Sequence, residues 1–226
     1  LEPDNTGVRK QRDIFSDAHY FVSLFVNQGG FFMSKNKTKI LVEGAVMVAL
    51  ATVLSYVRVY RLPWGGSITL LSMLPIVLFS IRRGLGAGLT VSFVFSLVQF
   101  TQGIVDGLFG WGLTPGMLIA CILLDYIVAF TVLGLAGIFR KKGLAGWIGG
   151  ITLAIVLRFA CHFLSGVIIW KSFGELWNGF STDNTFLYSF LYNGSYMLPE
   201  LIFTLIGAIA LLKVPQTKRY LITTED

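Results

Sequence analysis

Hydrophobic residues in this chain come in long runs, and polar residues gather between them. From Ile40 onward the pattern predicts six apolar segments: Ile40–Val57, Ile68–Ile81, Leu85–Phe100, Pro115–Phe139, Leu144–Trp170 and Phe186–Leu212. A helix needs about 20 apolar residues to cross the hydrocarbon core of a bilayer. The second and third runs are short for that, which predicts tilt or irregular backbone. Irregular backbone at membrane depth is tolerated only against protein or a wet cavity. The expected fold is an all-α membrane protein, a bundle of six transmembrane helices within residues 33–226.

Basic residues orient the bundle. Lys35, Lys37 and Lys39 precede the first run, Arg82 and Arg83 follow the second, Arg140, Lys141 and Lys142 follow the fourth, and Lys213, Lys218 and Arg219 follow the sixth. With six crossings these clusters share one side, and basic loops stay in the cytoplasm. Both termini are therefore expected to be cytoplasmic. The opposite loops carry Trp64, Trp111 and Trp177 beside glycines and acids, which fits an interfacial aromatic belt.

Composition agrees. The chain is 54% hydrophobic and only 13% charged, about half the charged share of a soluble domain. The net charge of +6 is accounted for by topology and gives no reason to expect nucleic acid. Cys121 and Cys161 stand apart in apolar stretches and read as free buried thiols.

Against this background a few polar side chains stand out. Ionisable groups at membrane depth cost roughly 2.5–3.5 kcal/mol each on insertion scales. Asp125 and Tyr126 lie in the fourth run, Arg158, His162 and Trp170 in the fifth, and Tyr188 and Asn193 in the sixth. Arg158, His162, Ser165 and Gly166 repeat at helical spacing and share a face. The chemistry predicts one pocket closed by three helices. Asp125 would either pair with Arg158 or neutralise a cationic ligand. Asn193 offers donors and an acceptor suited to the edge of a nitrogen heterocycle. Glu200, after the helix-kinking Pro199, has no evident partner in the sequence. A single histidine on the stripe argues against a metal site. No catalytic motif and no nucleotide-binding loop is present, so no catalytic residue and no bound cofactor is expected. In the first run Ala45 and Ala49 belong to a small-residue stripe that permits close helix approach, either within the bundle or to a partner.

At these residues the chain resembles the thiamine-specific substrate-binding component of energy-coupling factor transporters. The matching strings are Glu43 to Ala49, Leu74-Pro75-Ile76 with Ser80 to Leu89, Leu124 to Ala129, Gly134 to Arg140, Arg158 through His162 to Trp170, and Tyr188 through Asn193-Gly194. The resemblance implies a subunit that binds thiamine with high affinity from the outer face. It also implies delivery to a transmembrane coupling protein and two cytoplasmic ATPase subunits, which use the ATP. Ala45 and Ala49 would face the coupling protein. The implied binding set is Asp125, Tyr126, Arg158, His162, Trp170, Tyr188 and Asn193, with Trp64 as the aromatic of the outer loop. The loop Arg61–Ser67 would act as a lid. Thiamine is a permanent cation, so Trp170, Trp64 or Tyr188 would meet the thiazolium by cation–π attraction. Asp125 would balance the charge, Asn193 and His162 would bind the pyrimidine edge, and Arg158 would orient Asp125. The chain departs from the family pattern in three places: Asp125 stands where a glutamate is usual, Arg158 where a lysine is usual, and Leu70 where a carboxylate is expected.

Residues 1–32 are polar or broken in pattern and are expected to be a leader or disordered extension. Met33-Ser34-Lys35 reads as a natural start. One permitted back-translation of Glu2–Lys10 resembles the core of the thiamine-pyrophosphate riboswitch, which would make this segment translated upstream RNA. Three rivals share the pattern: the same fold binding another thiamine-related pyrimidine or vitamin, a stand-alone proton-coupled carrier using Asp125, His162 and Glu200, and an intramembrane enzyme.

Overall fold

The architecture comes from a computed structural model that describes residues 35–62, 65–171, 174–177 and 179–222. The extension 1–32 and Trp64 lie outside the described residues. The chain divides into two compact units, Leu1–Lys39 and Ile40–Asp226. Of the first, only residues 35–39 are described; everything below concerns the second.

Helices dominate. They are α1 (Lys35–Tyr56), α2 (Leu74–Arg83), α3 (Leu85–Val105), α4 (Pro115–Gly137), α5 (Gly143–Ser165, continued by a wide turn Gly166–Trp170), α6 (Thr185–Lys213) and α7 (Pro215–Ile222). Two antiparallel hairpins interrupt them: β1 (Arg58–Arg61) with β2 (Ser67–Thr69), and β3 (Gly174–Trp177) with β4 (Phe180–Thr182). Among the described residues, five helices are long and apolar enough to cross a membrane: α1, α3, α4, α5 and α6.

The second expected span takes a different form. Ile68 pairs with Tyr60 in the first hairpin, and only Leu74–Arg83 is helical. This short helix is buried from Leu74 to Arg82, so protein rather than lipid surrounds it, as irregular structure at membrane depth requires. Leu71, with φ of 60°, turns the chain from hairpin into helix. Gly84, at φ 84°, turns it again from α2 into α3. The hairpins themselves were not legible as strands, because their pairing lies in short loops with no alternating pattern.

Ion pairs mark the two ends of the bundle. At one end Glu43 of α1 binds Arg82 at 2.8 Å and also pairs with Arg83, all three side chains being nearly buried. The Arg140 guanidinium, beyond α4, donates to the Arg82 carbonyl at 3.0 Å, and the Trp147 indole of α5 donates to the Arg140 carbonyl at 2.8 Å. At the other end Arg58 of β1 meets Asp106, just after α3, at 2.8 Å. The first end thus joins the start of α1, the end of α2 and the α4–α5 turn, while the second joins the end of α1 to the end of α3.

The main core lies between α2, α4, α5 and the inner faces of α3 and α6, with Ile76, Val77, Leu133, Ile151 and Ile155 almost fully buried. Helix α1 packs by one edge only. Gly44, Ala51 and Ser55 face inward, while Leu41, Val42, Ala45, Val46, Ala49, Leu50 and Val53 are exposed. The Ala45/Ala49 stripe is therefore not spent on packing inside this bundle.

Candidate binding site

A cavity of about 510 Å³ opens toward the Arg58–Asp106 end of the bundle. Seven of the side chains singled out in the sequence line it together: Asp125, Tyr126, Arg158, His162, Trp170, Tyr188 and Asn193. Local backbone explains how adjacent residues reach one space. Helix α4 widens into a π turn over Ile122–Val128, and α5 does the same over Gly166–Trp170. A widened turn reduces the angle between consecutive side chains and is common at functional sites. It lets Asp125 and Tyr126 both face inward.

Asp125 is the hub. Its Oδ1 meets His162 Nδ1 at 2.9 Å. Its Oδ2 accepts from the Ser165 hydroxyl, from the Cys121 thiol at 3.3 Å and, at the long distance of 3.5 Å, from the Trp170 indole N–H. Among the described residues no lysine or arginine nitrogen lies within 4 Å of this carboxylate. The expected Asp125–Arg158 pair is therefore not formed. Arg158 instead stacks its guanidinium 4.1 Å from the centre of the Phe130 ring and donates to Met73 Sδ at 2.8 Å. The arginine finds an aromatic face and a sulfur, and Asp125 is left with hydrogen-bond donors and no fixed cation.

Asn193 is held on α6. Its amide N–H groups donate to the carbonyl and hydroxyl oxygens of Ser189 at 2.9 and 3.1 Å, and its Oδ1 accepts from the Tyr196 hydroxyl at 2.8 Å. Close approach of α5 makes this possible. A β-carbon at Gly166 would collide with the Ser189 hydroxyl and crowd Asn193, so the glycine is needed for contact rather than for an unusual φ. Gly103 on α3 likewise leaves room for the Tyr126 ring.

At the mouth, Trp111 and Trp170 meet edge to face at 5.5 Å. Tyr188 stacks on Tyr192 at 6.2 Å. The Tyr192 hydroxyl accepts from the Gly66 N–H at 3.1 Å, which fastens the turn of the first hairpin to α6. Deeper in, Glu200 finds the partner that the sequence did not reveal. Its Oε1 accepts from both the backbone N–H and the hydroxyl of Thr69 on β2, and that hydroxyl in turn meets Ser72 at 2.6 Å.

Several site residues were missed in the sequence. Cys121 lies one helical turn before Asp125, and that spacing was the available signal. Gln99 and Gln102 of α3, with Ser55 of α1, complete another wall; the Gln102 amide donates to the Ser55 hydroxyl at 2.8 Å. Lone glutamines in an apolar run carry little signal until a third dimension gathers them. Among the described residues, four buried atoms of the cavity lining have no hydrogen-bond partner: Gln99 Nε2, Arg158 Nε, His162 Nε2 and Glu200 Oε2. Each such group costs about 1–3 kcal/mol if left unsatisfied. No cluster of three potential metal-binding side chains occurs among the described residues.

Residues 41–220 match the family described as "Thiamine transporter protein" (Thia_YuaJ). The chain belongs to that family. It is 35% identical over 176 residues to thiamine transporter ThiT of Bacillus subtilis, covering 72% of this chain and 84% of that protein. It is 26% identical over 193 residues to thiamine transporter ThiT of Lacticaseibacillus paracasei, covering 77% and 87%. A solved structure of ThiT from Listeria monocytogenes superposes with a TM-score of 0.63 at 26% identity, covering 81% of this chain and 98% of that one. The family expected from the sequence is thus the family found. This is a thiamine transporter family member, a multi-pass protein of the bacterial cell membrane, and not an enzyme.

Proposed function

We propose that this chain is the thiamine-binding component of an energy-coupling factor transporter. In this reading it takes thiamine with high affinity from the outer face and delivers it to a coupling protein and two cytoplasmic ATPases. The observation that carries the binding role is the state of Asp125: a carboxylate at membrane depth, fixed by four side chains, beside a cavity, with no lysine or arginine paired to it among the described residues. A positively charged ligand completes that arrangement. Family membership makes thiamine the ligand of choice.

The residue roles follow. Asp125 balances the thiazolium charge, and Trp170 and Tyr188 present ring faces to it, worth about 2 kcal/mol each when desolvated. If His162 Nδ1 donates to Asp125, neutral His162 has Nε2 free as an acceptor. Nε2 is one of the unpartnered atoms, and the exocyclic amine of the pyrimidine supplies the matching donor. Asn193 and Tyr126 line the remaining wall, and Arg158 shapes the floor through Phe130 rather than orienting Asp125. The first hairpin, with Gly65–Ser67, serves as the lid.

For assembly, the proposed topology has six traverses with both termini cytoplasmic. The end bearing Arg82, Arg83 and Arg140 then lies inside, in keeping with the distribution of basic residues. The exposed Ala45/Ala49 stripe of α1 supplies a flat surface for the coupling protein.

The test is a ligand titration of the purified chain followed by tryptophan fluorescence, since Trp111 and Trp170 sit at the cavity mouth. Thiamine is expected to quench saturably. Asp125→Ala is expected to weaken binding by about 2–5 kcal/mol, the cost of removing one partner of a buried charge pair, and Asn193→Ala by about 1 kcal/mol or more. Saturable binding of a neutral vitamin, with thiamine ignored, would reject the reading.

A further inference from the structure

Glu200 is 2% exposed, lies midway along α6, and lines the same cavity as Asn193 and Asp125. It sits seven residues beyond Asn193, about 10 Å farther in at 1.5 Å per residue. Its two carboxyl oxygens differ. Oε1 is committed to Thr69, through the backbone N–H and the hydroxyl. Among the described residues Oε2 has no hydrogen-bond partner, and it is buried. The neighbouring cation, Arg158, does not satisfy it. Among the described residues no arginine or lysine nitrogen lies within 4 Å of Glu200, and the Arg158 contacts are Met73 and the Phe130 ring.

Thr69 alone accounts for half of this carboxyl. Glutamine would hold Thr69 equally well without an ionisable group at membrane depth. The use of an acid, with its second oxygen unsatisfied at a ligand cavity, calls for a donor that the described residues do not supply. We propose that Glu200 is a specificity-determining contact of the binding site: Oε1 anchors β2, and Oε2 accepts a hydrogen bond from a donor at the inner end of the ligand. The inference rests on the reading of this cavity as the thiamine site. Thiamine offers two such donors, the pyrimidine amine and the hydroxyl of the hydroxyethyl tail. They share one chemistry, and the experiment separates them.

Glu200→Gln is the informative variant because it keeps an oxygen for Thr69 and puts an NH₂ group where Oε2 was. Wild type and variant are titrated with three ligands: thiamine, oxythiamine (amine replaced by oxygen), and the deoxy analogue carrying ethyl in place of hydroxyethyl. The variant is expected to lose thiamine affinity on the order of tenfold to a hundredfold. For the analogue lacking the donor that Glu200 reads, the variant penalty is expected to shrink to within about threefold, and for the other analogue to persist. Thr69→Val separates the two oxygens: by loosening β2 it is expected to weaken all three ligands alike. Thermal unfolding reports whether each variant folds, and Glu200→Asp, which keeps the charge and shifts its position, provides the same comparison should the glutamine variant not fold. Equal penalties for all three ligands, or no penalty for any, would overturn the inference while leaving thiamine binding by the wild type intact. Failure of the wild type to bind thiamine would overturn the functional reading itself.

Discussion

Asp125 and Gly166 show how little side-chain volume separates a binding site from a packed helix crossing. Asp125 gathers Ser165 and His162 from α5, and Gly166 is the next residue along that helix. Its missing side chain is what admits the Ser189 hydroxyl, and through Ser189 the amide of Asn193. Gly166→Ala is therefore expected to push α6 outward and to weaken ligand binding while Asp125 stays in place. Overpacking of this kind costs about 1–3 kcal/mol. The check is a comparison of thermal unfolding with binding: affinity falls by more than the loss of stability of the empty protein would suggest, because Asn193 is displaced from the cavity. A variant with wild-type affinity would mean that α6 accommodates the methyl elsewhere. At this scale the sequence was informative where a polar residue broke an apolar run, and all seven intramembrane site residues it singled out line one cavity. It misled on pairing. Opposite charges on neighbouring segments suggested Asp125 with Arg158, whereas sequence carries no information on the Phe130 ring and the Met73 sulfur that hold Arg158 instead. The uncharged polar residues Gln99, Gln102 and Cys121 were passed over because one such residue in a membrane helix is cheap enough to need no explanation.

Helices long enough to span were legible because twenty apolar residues in a row leave few other folds. The segment between α1 and α3 was not, because its apolar run is divided between a strand, a strained turn at Leu71 and the short buried helix α2. The structure makes that segment a separate mechanical part. Among the described residues the first hairpin is fastened by Arg58 and Arg61 to Asp106 on the α3 side, and by the Gly66 N–H to Tyr192 and Thr69 to Glu200, both on α6. The Gly66–Tyr192 bond lies at the turn, nearest the mouth, while the Thr69 bonds lie at the base. Opening at the turn alone would expose the cavity and leave the base anchored. Tyr192→Phe removes the outer bond and keeps the ring that stacks on Tyr188. A net hydrogen bond is worth about 1 kcal/mol, so the variant is expected to release ligand about fivefold faster. The association rate is expected to stay near that of the wild type, because the hydroxyl holds the closed state and not the encounter. Stopped-flow fluorescence with rapid dilution measures both rates. Slower association with unchanged release would show that Tyr192 guides entry instead of holding the hairpin shut.

A bundle with a cavity at one end and a dense ion-pair cluster at the other is built to bind from one side. Beneath the site lie Ile76, Val77, Leu133, Ile151 and Ile155, which form a dry core. Below them Glu43 clamps Arg82 and Arg83, whose side chains are nearly buried. Passage through this molecule would have to part that core and strip partners from buried charges, at a cost of about 3–5 kcal/mol for a broken buried pair. Reorientation of the whole bundle by an external machine leaves both intact, and the lopsided burial of α1 offers such a machine a surface. Purified chain reconstituted alone in vesicles is therefore expected to bind thiamine without accumulating it, with or without a pH gradient. Co-reconstitution with a coupling protein and its ATPases is expected to give ATP-dependent uptake. Large substitutions on the exposed stripe, Ala45→Trp and Ala49→Trp, are expected to abolish that uptake with thiamine affinity unchanged, since neither residue lines the cavity. Radiolabelled uptake read beside equilibrium binding separates the two activities. Accumulation by the isolated chain driven by a proton gradient would establish the stand-alone carrier instead, with Asp125, His162 and Glu200 as its proton-bearing groups.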